Sequence, residues 1–257
     1  MPPQACPVCL HGAARPVRSA EAYECPDCGA TFCLSAPSAA PVDLAAAFRG
    51  YWDDYHKGRA LAPRLGGWRT SGDFLDVGCA LGTVPAGLRD HSGWRVRGLE
   101  ASAQAAELGR ALNGVDIAGA PLSQAPYPPE SFDYILLDRV LEREPAPRAV
   151  LAGAADRLRP GGRLEIVVSN APGAGGLIVF SRRSLLGLLA DFKLRVLALR
   201  RCSARPAASR PGEFTLEQGR ALIGPEPSWP LYVWGERLKR LAGGWLGRGF
   251  EVLAEKP

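Results

Sequence analysis

Lysine is scarce in this chain. Of 31 basic residues only Lys57, Lys193, Lys239 and Lys256 are lysine, and nowhere do five or more like charges stand together. A formal net charge of +5 spread in this way argues against a polybasic nucleic-acid footprint. Arginine over lysine, with abundant Ala, Gly and Pro, reads instead as genome composition. No apolar stretch reaches the roughly 18 residues that a membrane span needs. The opening "MPPQACPVC" also lacks the apolar segment of a secretory signal. The expectation is a soluble, cytoplasmic chain. Its 257 residues, 47% of them hydrophobic, suffice for one sizeable core and a small appendage.

Cysteine is what stands out. Seven are present, an odd number for a chain read as non-secreted, so metal binding is a better first reading than disulfides. "CPVC" pairs Cys6 with Cys9 and "CPDC" pairs Cys25 with Cys28, giving C-x2-C-x15-C-x2-C. That is zinc-ribbon spacing. Each C-x2-C turn converges two thiolates, and two such turns complete a closed tetrahedral site of four sulfurs, structural and not catalytic. Gly29 after the second pair allows a positive φ, and "AYE" and "TF" around that pair read as short strands. So small a unit buries little surface, so a bound Zn2+ would supply much of its stability. Cys33 and His11 fall outside the pairs; Cys33 reads as packed beside the knuckle and His11 as exposed in the loop.

The ribbon is assigned to residues 1–36, a linker and helix to 37–70, and the main domain to 71–257, with a variable insertion over 203–248. "LSAPSAAPVD" is the linker. Asp43 can cap one helix, "LAAAFRGYWDDYHKGRALAPRL", up to the breaks at Pro63 and Gly66–Gly67. Its Tyr51, Trp52, Tyr55 and His56 read as an aromatic face docking the helix on the main domain. The alternative is a lid whose polar tips, Tyr51, Tyr55 and His56, face a ligand.

From residue 73 strands and helices alternate. Strands are expected at 74–77, 95–99, 115–118, 132–137, 164–168 and 194–199, and helices at about 82–91, 102–112, 146–159 and 182–190. This predicts a parallel sheet with helices on both faces and a ligand at the carboxyl ends of its strands. The first strand runs into "LDVGCALG". A dinucleotide loop, G-x-G-x-x-G, would need its third glycine where Thr83 stands, so the fit is poor. The glycines are Gly78 and Gly82, with Ala80 between them. At the end of the second strand Glu100 lies 22 residues after Gly78, where a carboxylate can accept from both hydroxyls of a ribose.

The motif "LDVGCALG", with Glu100 and the later "SFDYILLDRVLE" and "LRPGGRLEIVV", resembles the class I S-adenosylmethionine (SAM)-dependent methyltransferases of the type 11/23-like kind. The resemblance covers roughly residues 45–202. It implies a Rossmann-like, doubly wound α/β sheet, mostly parallel with an antiparallel last strand, here preceded by the zinc ribbon. It implies SAM as cofactor, held by Tyr51, Asp76, Gly78, Cys79, Ala80, Gly82, Glu100, Ala101, Leu122 and Asp138. SAM has no pyrophosphate, so the added methyl of Ala80 is tolerated. Asp76 is expected to orient the loop, and backbone groups around Ala120–Leu122 to meet the adenine. Cys79 and Cys202 read as small packing residues.

The chain departs from the family at the acceptor side. Many relatives carry "HVLEH" where this chain has "RVLER", so Arg139 and Arg143 replace histidines and Glu142 remains. Arginine stays protonated and is no base, but Arg139 can bind an anionic acceptor; a solvated helix start is the alternative. His91 ends a helix, which leaves His56 as the histidine near the acceptor. The catalytic candidates are His56, Arg139 and Glu142. No D/N-P-P-Y or Pro-Cys motif follows the fourth strand, which argues against the base-amine and cytosine carbon-5 classes. The expected acceptor is a small molecule methylated at oxygen, with carbon and nitrogen open. An RNA methyltransferase is a rival, opposed by a ribbon whose basic residues are only Arg15 and Arg18; a non-catalytic partner protein is another. Near the C-terminus Leu231, Trp234, Leu238, Leu241 and Trp245 recur at helical spacing. They are read as a core-facing stripe, with peripheral membrane contact through 230–246 or a pocket wall as alternatives. "GFEVLAEKP" is expected as an antiparallel strand at the sheet edge.

Overall fold

The computed structural model describes residues 5–11, 14–17, 22–33, 42–169, 176–202, 214–246 and 249–257. Strands β1 (Arg15–Pro16), β2 (Ala22–Glu24) and β3 (Thr31–Cys33) make an antiparallel meander around the second cysteine pair. The linker expected before Asp43 lies mostly outside the described residues. Asp43 Oδ1 then accepts from the Ala46 amide at 2.9 Å and starts α1 (Leu44–Arg49). The single helix expected here is two: Gly50 ends α1 and opens α2 (Tyr51–Gly66).

The alternation follows as β4 (Asp73–Val77), α3 (Thr83–Arg89), β5 (Arg95–Leu99), α4 (Ala103–Asn113), β6 (Asp116–Ala118), β7 (Phe132–Asp138), α5 (Pro147–Arg157), β8 (Leu158–Val168), β9 (Ile178–Val179), α6 (Arg182–Asp191) and β10 (Arg195–Cys202). Helices α7 (Leu216–Leu222) and α8 (Trp229–Leu246) and strand β11 (Gly249–Glu255) complete the chain. Seven strands form one sheet in the order β10-β11-β8-β7-β4-β5-β6. β4 to β8 pair in parallel. All of β4 and nearly all of β7 is buried, as strands covered on both faces must be. Arg95 and Arg159 pair with Asp73, and Arg159 and Arg69 with Asp133, fixing the amino ends of β4 and β7.

Three expectations are corrected. β11 is not at the sheet edge; it lies between β8 and β10, antiparallel to both, and β10 is the edge. The "RPGG" segment, between the helix expected to run to 159 and the strand expected from 164, is not a break between the two but a bulge within β8: residues 159–162 stand opposite Asp133 alone. Gly161 (φ 72°) donates to the Lys256 carbonyl and Gly162 accepts from the Lys256 amide, so the residue that follows β11 holds the bulge in place. The described part of the stripe on α8 faces outward, with Leu231, Trp234 and Leu238 71%, 66% and 50% exposed, while the side chains of Leu241 and Trp245 lie outside the described residues. The helix docks through Trp229 and Tyr232, which stack on each other and close over His56 of α2.

Two features place the helices that border the site. Helices α2 and α3 touch backbone to backbone, because a Cβ at Gly58 would lie 2.0 Å from the Val84 carbonyl and one at Gly87 2.0 Å from the Tyr55 carbonyl. The N-terminal meander is joined to the main domain by β3–β9 pairing (Thr31 with Val179, Phe32 with Ile178). Cys6, Val8, Cys25, Cys28 and Phe32 accordingly share one hydrophobic cluster with Ile135, Leu164 and Ile166 of the large sheet. Among the described residues no helix is long and apolar enough to cross a membrane.

Candidate functional site

The loop after β4 is shaped by left-handed residues at Gly78 (φ 73°), Ala80 (φ 48°) and Gly82 (φ 66°). The Gly78 amide donates to the Leu99 carbonyl at 2.7 Å, which ties the loop to β5. A Cβ at Gly82 would lie 2.7 Å from Ile117 Cδ1, so only glycine lets α3 start this close to β6. Cys79 packs its sulfur against Gly98, whose missing Cβ would lie 2.5 Å away. Glu100, at the end of β5, accepts from the Ala80 amide (3.0 Å) and the Ser102 amide (2.8 Å). Burial raises its pKa while these amides and Arg143 oppose the rise. A buried carboxylate with two fixed donors still has lone pairs for further donors. Ala101 is exposed beside it, and Leu122 is buried in a 3-10 turn against Gly153 of α5.

The floor of the cleft is charged. Lys57, reaching in from α2, meets Asp138 Oδ2 at 2.5 Å, and Arg139 Nε lies 3.6 Å from Asp138 Oδ1. Burial raises the pKa of Asp138, but Lys57 and Arg139 outweigh it and hold the carboxyl below its ordinary value. Asp76, wholly enclosed at the end of β4, is pushed well above the ordinary value by burial and by the Asp138 charge. Asp54 of α2 is raised for the same reason of burial. The cleft thus holds cations and carboxylates side by side. Lys57 and Asp54 escaped the sequence reading, because only the packing of α2 on α3 brings them to the ends of β4 and β7.

Toward β8, the 3-10 turn Leu141–Arg143 buries Glu142, whose Oε1 accepts from the Ser169 amide at 2.9 Å. Burial lifts Glu142 to about 7. Its carbonyl accepts from the Leu177 amide at 2.6 Å, next to β9. Arg139 (φ 58°) opens this turn with its amide on the Val167 carbonyl.

The aromatic residues of α2 lie elsewhere. Tyr51 donates to Asn113 Oδ1 at 2.8 Å, and Asn113 Nδ2 donates to the Leu81 carbonyl, so Tyr51 backs the loop from behind. Tyr55 donates to Asp90 and Trp52 to the Gly224 carbonyl. His56 is wholly buried at the α2–α8 junction, with Nε2 3.2 Å from the Pro227 carbonyl. These polar tips bond to protein groups.

The second constellation is the cysteine cluster. Sγ of Cys6 and Cys28 are 3.7 Å apart and those of Cys9 and Cys25 3.6 Å, and all four lie within 4.8 Å of one another. Disulfide sulfurs would stand at about 2.05 Å. A tetrahedral zinc with Zn–S of about 2.3 Å would space its sulfurs by about 3.8 Å. The four residues fit such an ion. Burial pushes the Cys6 thiol to about 11 and Cys28 higher still, so a cation is what would draw thiolates there. Cys33 is exposed on the edge residue of β3 and not packed beside the knuckle; His11 is exposed.

A family model described as a methyltransferase domain matches residues 51–203. Among curated proteins none matches the chain in sequence. A chain of the Haloferax volcanii complex between the Trm112 methyltransferase activator and its methyltransferase superposes with a TM-score of 0.56 at 14% identity, over 84% of this chain and 99% of that one. The Burkholderia thailandensis 1,6-didemethyltoxoflavin N1-methyltransferase, solved with its acceptor and S-adenosylhomocysteine, gives 0.51 at 21% identity, over 92% and 99%. The Streptomyces coelicolor geranyl diphosphate C-methyltransferase gives 0.51 at 15% identity, over 77% and 80%.

Proposed function

The chain belongs to the methyltransferase-domain family, within the class I SAM-dependent methyltransferases, and on that premise we propose that it transfers the methyl group of SAM to a small-molecule acceptor at oxygen. The observation that carries the reading is Glu100, buried at the end of β5 and oriented by the Ala80 and Ser102 amides beside a loop bent through Gly78 and Gly82. A carboxylate so held accepts from the paired hydroxyls of a ribose. Lys57 and Asp138 offer a cation and an anion to the zwitterionic end of an amino acid, and Leu122 offers an apolar surface to a purine. Bound there, SAM supplies a methyl group on a sulfonium, already activated. The residues of the cleft then align the acceptor and exclude water. Arg139, half-buried beside Asp138, supplies positive charge to an anionic acceptor. A zinc ion held by Cys6, Cys9, Cys25 and Cys28 has a structural role, because four thiolates leave no open position.

Calorimetry of the full chain with S-adenosylhomocysteine tests this reading. Glu100→Ala removes one charged hydrogen-bond acceptor, for which about 1.5–3 kcal/mol, or roughly 10- to 100-fold in Kd, is expected. Unchanged affinity in that variant, or uptake of a nicotinamide dinucleotide in place of the nucleoside, overturns it.

A further inference from the structure

Asp73, Asp133 and Glu100 are buried carboxylates whose two oxygens are each met by protein donors. Glu142 differs. It is 2% exposed, and while Oε1 takes the Ser169 amide, Oε2 has no partner among the described residues. Ser169, 6% exposed, likewise leaves its Oγ without a partner among the described residues. Buried polar atoms are nearly always satisfied, so two adjacent exceptions point to a group that binds there. They lie just past the carboxyl ends of β7 and β8, neighbouring parallel strands, on the side of the cleft away from the Glu100 ribose position. Ligands in such sheets lie at those ends. Gly176 packs closely on Glu142, since a Cβ there would come within 3.4 Å of Glu142 Cγ and 3.3 Å of its carbonyl, and this contact helps fix where the carboxyl stands.

We propose that Glu142 and Ser169 form the acceptor subsite for an acidic hydroxyl, a phenol or an enol, with Glu142 Oε2 receiving its proton and Ser169 Oγ donating to the same oxygen. This rests on the methyl-transfer reading above. A single O–H both donates and accepts, which matches one carboxylate oxygen beside one hydroxyl. A ligand carboxylate would be repelled by Glu142. Burial brings Glu142 to about 7, within reach of phenols and enols but far from aliphatic alcohols. The charged or titratable groups that bear on it are Asp138 and Arg139 from the end of β7 and Cys202 from the end of β10. Arg139 is placed to favour an oxyanion. In the step, the acceptor O–H proton passes to Glu142 as the oxygen's electron pair forms the O–CH3 bond. The S–CH3 bond breaks, its pair remaining on sulfur as a neutral thioether, and the proton then leaves Glu142 for solvent. His56, enclosed by Trp52, Tyr55, Trp229 and Tyr232, takes no part.

The test uses the full chain with SAM and substituted phenols whose pKa values run from about 7 to 10. Methyl ethers are expected by mass, with kcat/KM rising through a limb near pH 7, because Glu142 must be ionised to act. Glu142→Gln should remove that limb and cost about 100-fold or more for the least acidic phenols while largely sparing the most acidic. Glu142→Asp should restore part of the loss, and Ser169→Ala should raise KM. Infrared difference spectra of the S-adenosylhomocysteine complex should show a protonated carboxyl titrating near pH 7 that Glu142→Gln lacks, with nucleoside affinity equal in the two proteins. Tight nucleoside binding without methylation of any phenol overturns the subsite alone, as does an unchanged pH profile in Glu142→Gln. Failure to bind the nucleoside overturns the methyl-transfer reading as well.

Discussion

Ala80 holds a left-handed backbone (φ 48°) with its amide on Glu100, a conformation that costs an L-residue with a Cβ about 1–2 kcal/mol. Ala80→Gly releases that strain and gives back part of it as added freedom of the unfolded chain. A net gain of about 0.5–1 kcal/mol, or a rise of roughly 1–4 °C in Tm, is expected in thermal unfolding. Gly82→Ala, equally left-handed but with its Cβ driven 2.7 Å from Ile117, should instead lose about 2 kcal/mol or more. The two substitutions separate strain at the middle of the loop from crowding at its end. At this scale the sequence was informative about position where spacing along a strand–loop–helix–strand unit sets the geometry: β4 and its loop carry Asp76, Gly78 and Gly82, and the end of β5 brings Glu100 to the Ala80 amide. It was silent where two distant segments meet. Lys57 finds Asp138 across 81 residues, and Glu142 finds Ser169 across 27.

Elements were legible wherever a full period of apolar residues stood between breakers, which covers every strand of the large sheet except in its ends. The misreadings share a cause: the partner, and not the element, decides. "RPGG" carries turn residues, yet Lys256, just past the last strand, holds it as a bulge. Helix α8 has apolar residues on two faces, and periodicity alone cannot say which face docks. The docked side is Trp229, under the Arg59 guanidinium at 4.1 Å and stacked on Tyr232 beside His56. Trp229→Ala should therefore lose about 1–2 kcal/mol, near half the burial worth of a large aromatic. Trp234→Ala, on the exposed stripe, should stay within about 0.5 kcal/mol of wild type. Denaturant unfolding of both variants checks the orientation, and the reverse order of losses would restore the core-facing reading.

At the scale of the whole molecule the cysteine unit is not an appendage. Arg148 of α5 donates to the Val8 carbonyl inside the first knuckle (2.9 Å), and Ser181, the cap of α6, donates to the Cys28 carbonyl inside the second (2.6 Å). The Cys33 amide donates to the Leu177 carbonyl, and the Leu177 amide to the Glu142 carbonyl, so three hydrogen-bonded segments connect the ribbon to the Glu142 turn. Metal binding in a small four-thiolate unit is folding free energy, and here its loss would release β3 from β9 and β9 from the Glu142 turn. The Glu100 side of the cleft hangs on β4, β5 and β6, which the ribbon strands do not pair with. On the zinc reading, treating the full chain with a strong chelator should thus speed amide hydrogen exchange over 22–33 and 176–181 and at the Glu142 turn. Protection in β4 and β5, and affinity for S-adenosylhomocysteine, should change less than about twofold, a difference within the noise of RT ln 2. Exchange that quickens only within 5–33 would show the ribbon to be an independent unit, and collapse of protection throughout would show that the sheet itself depends on the metal.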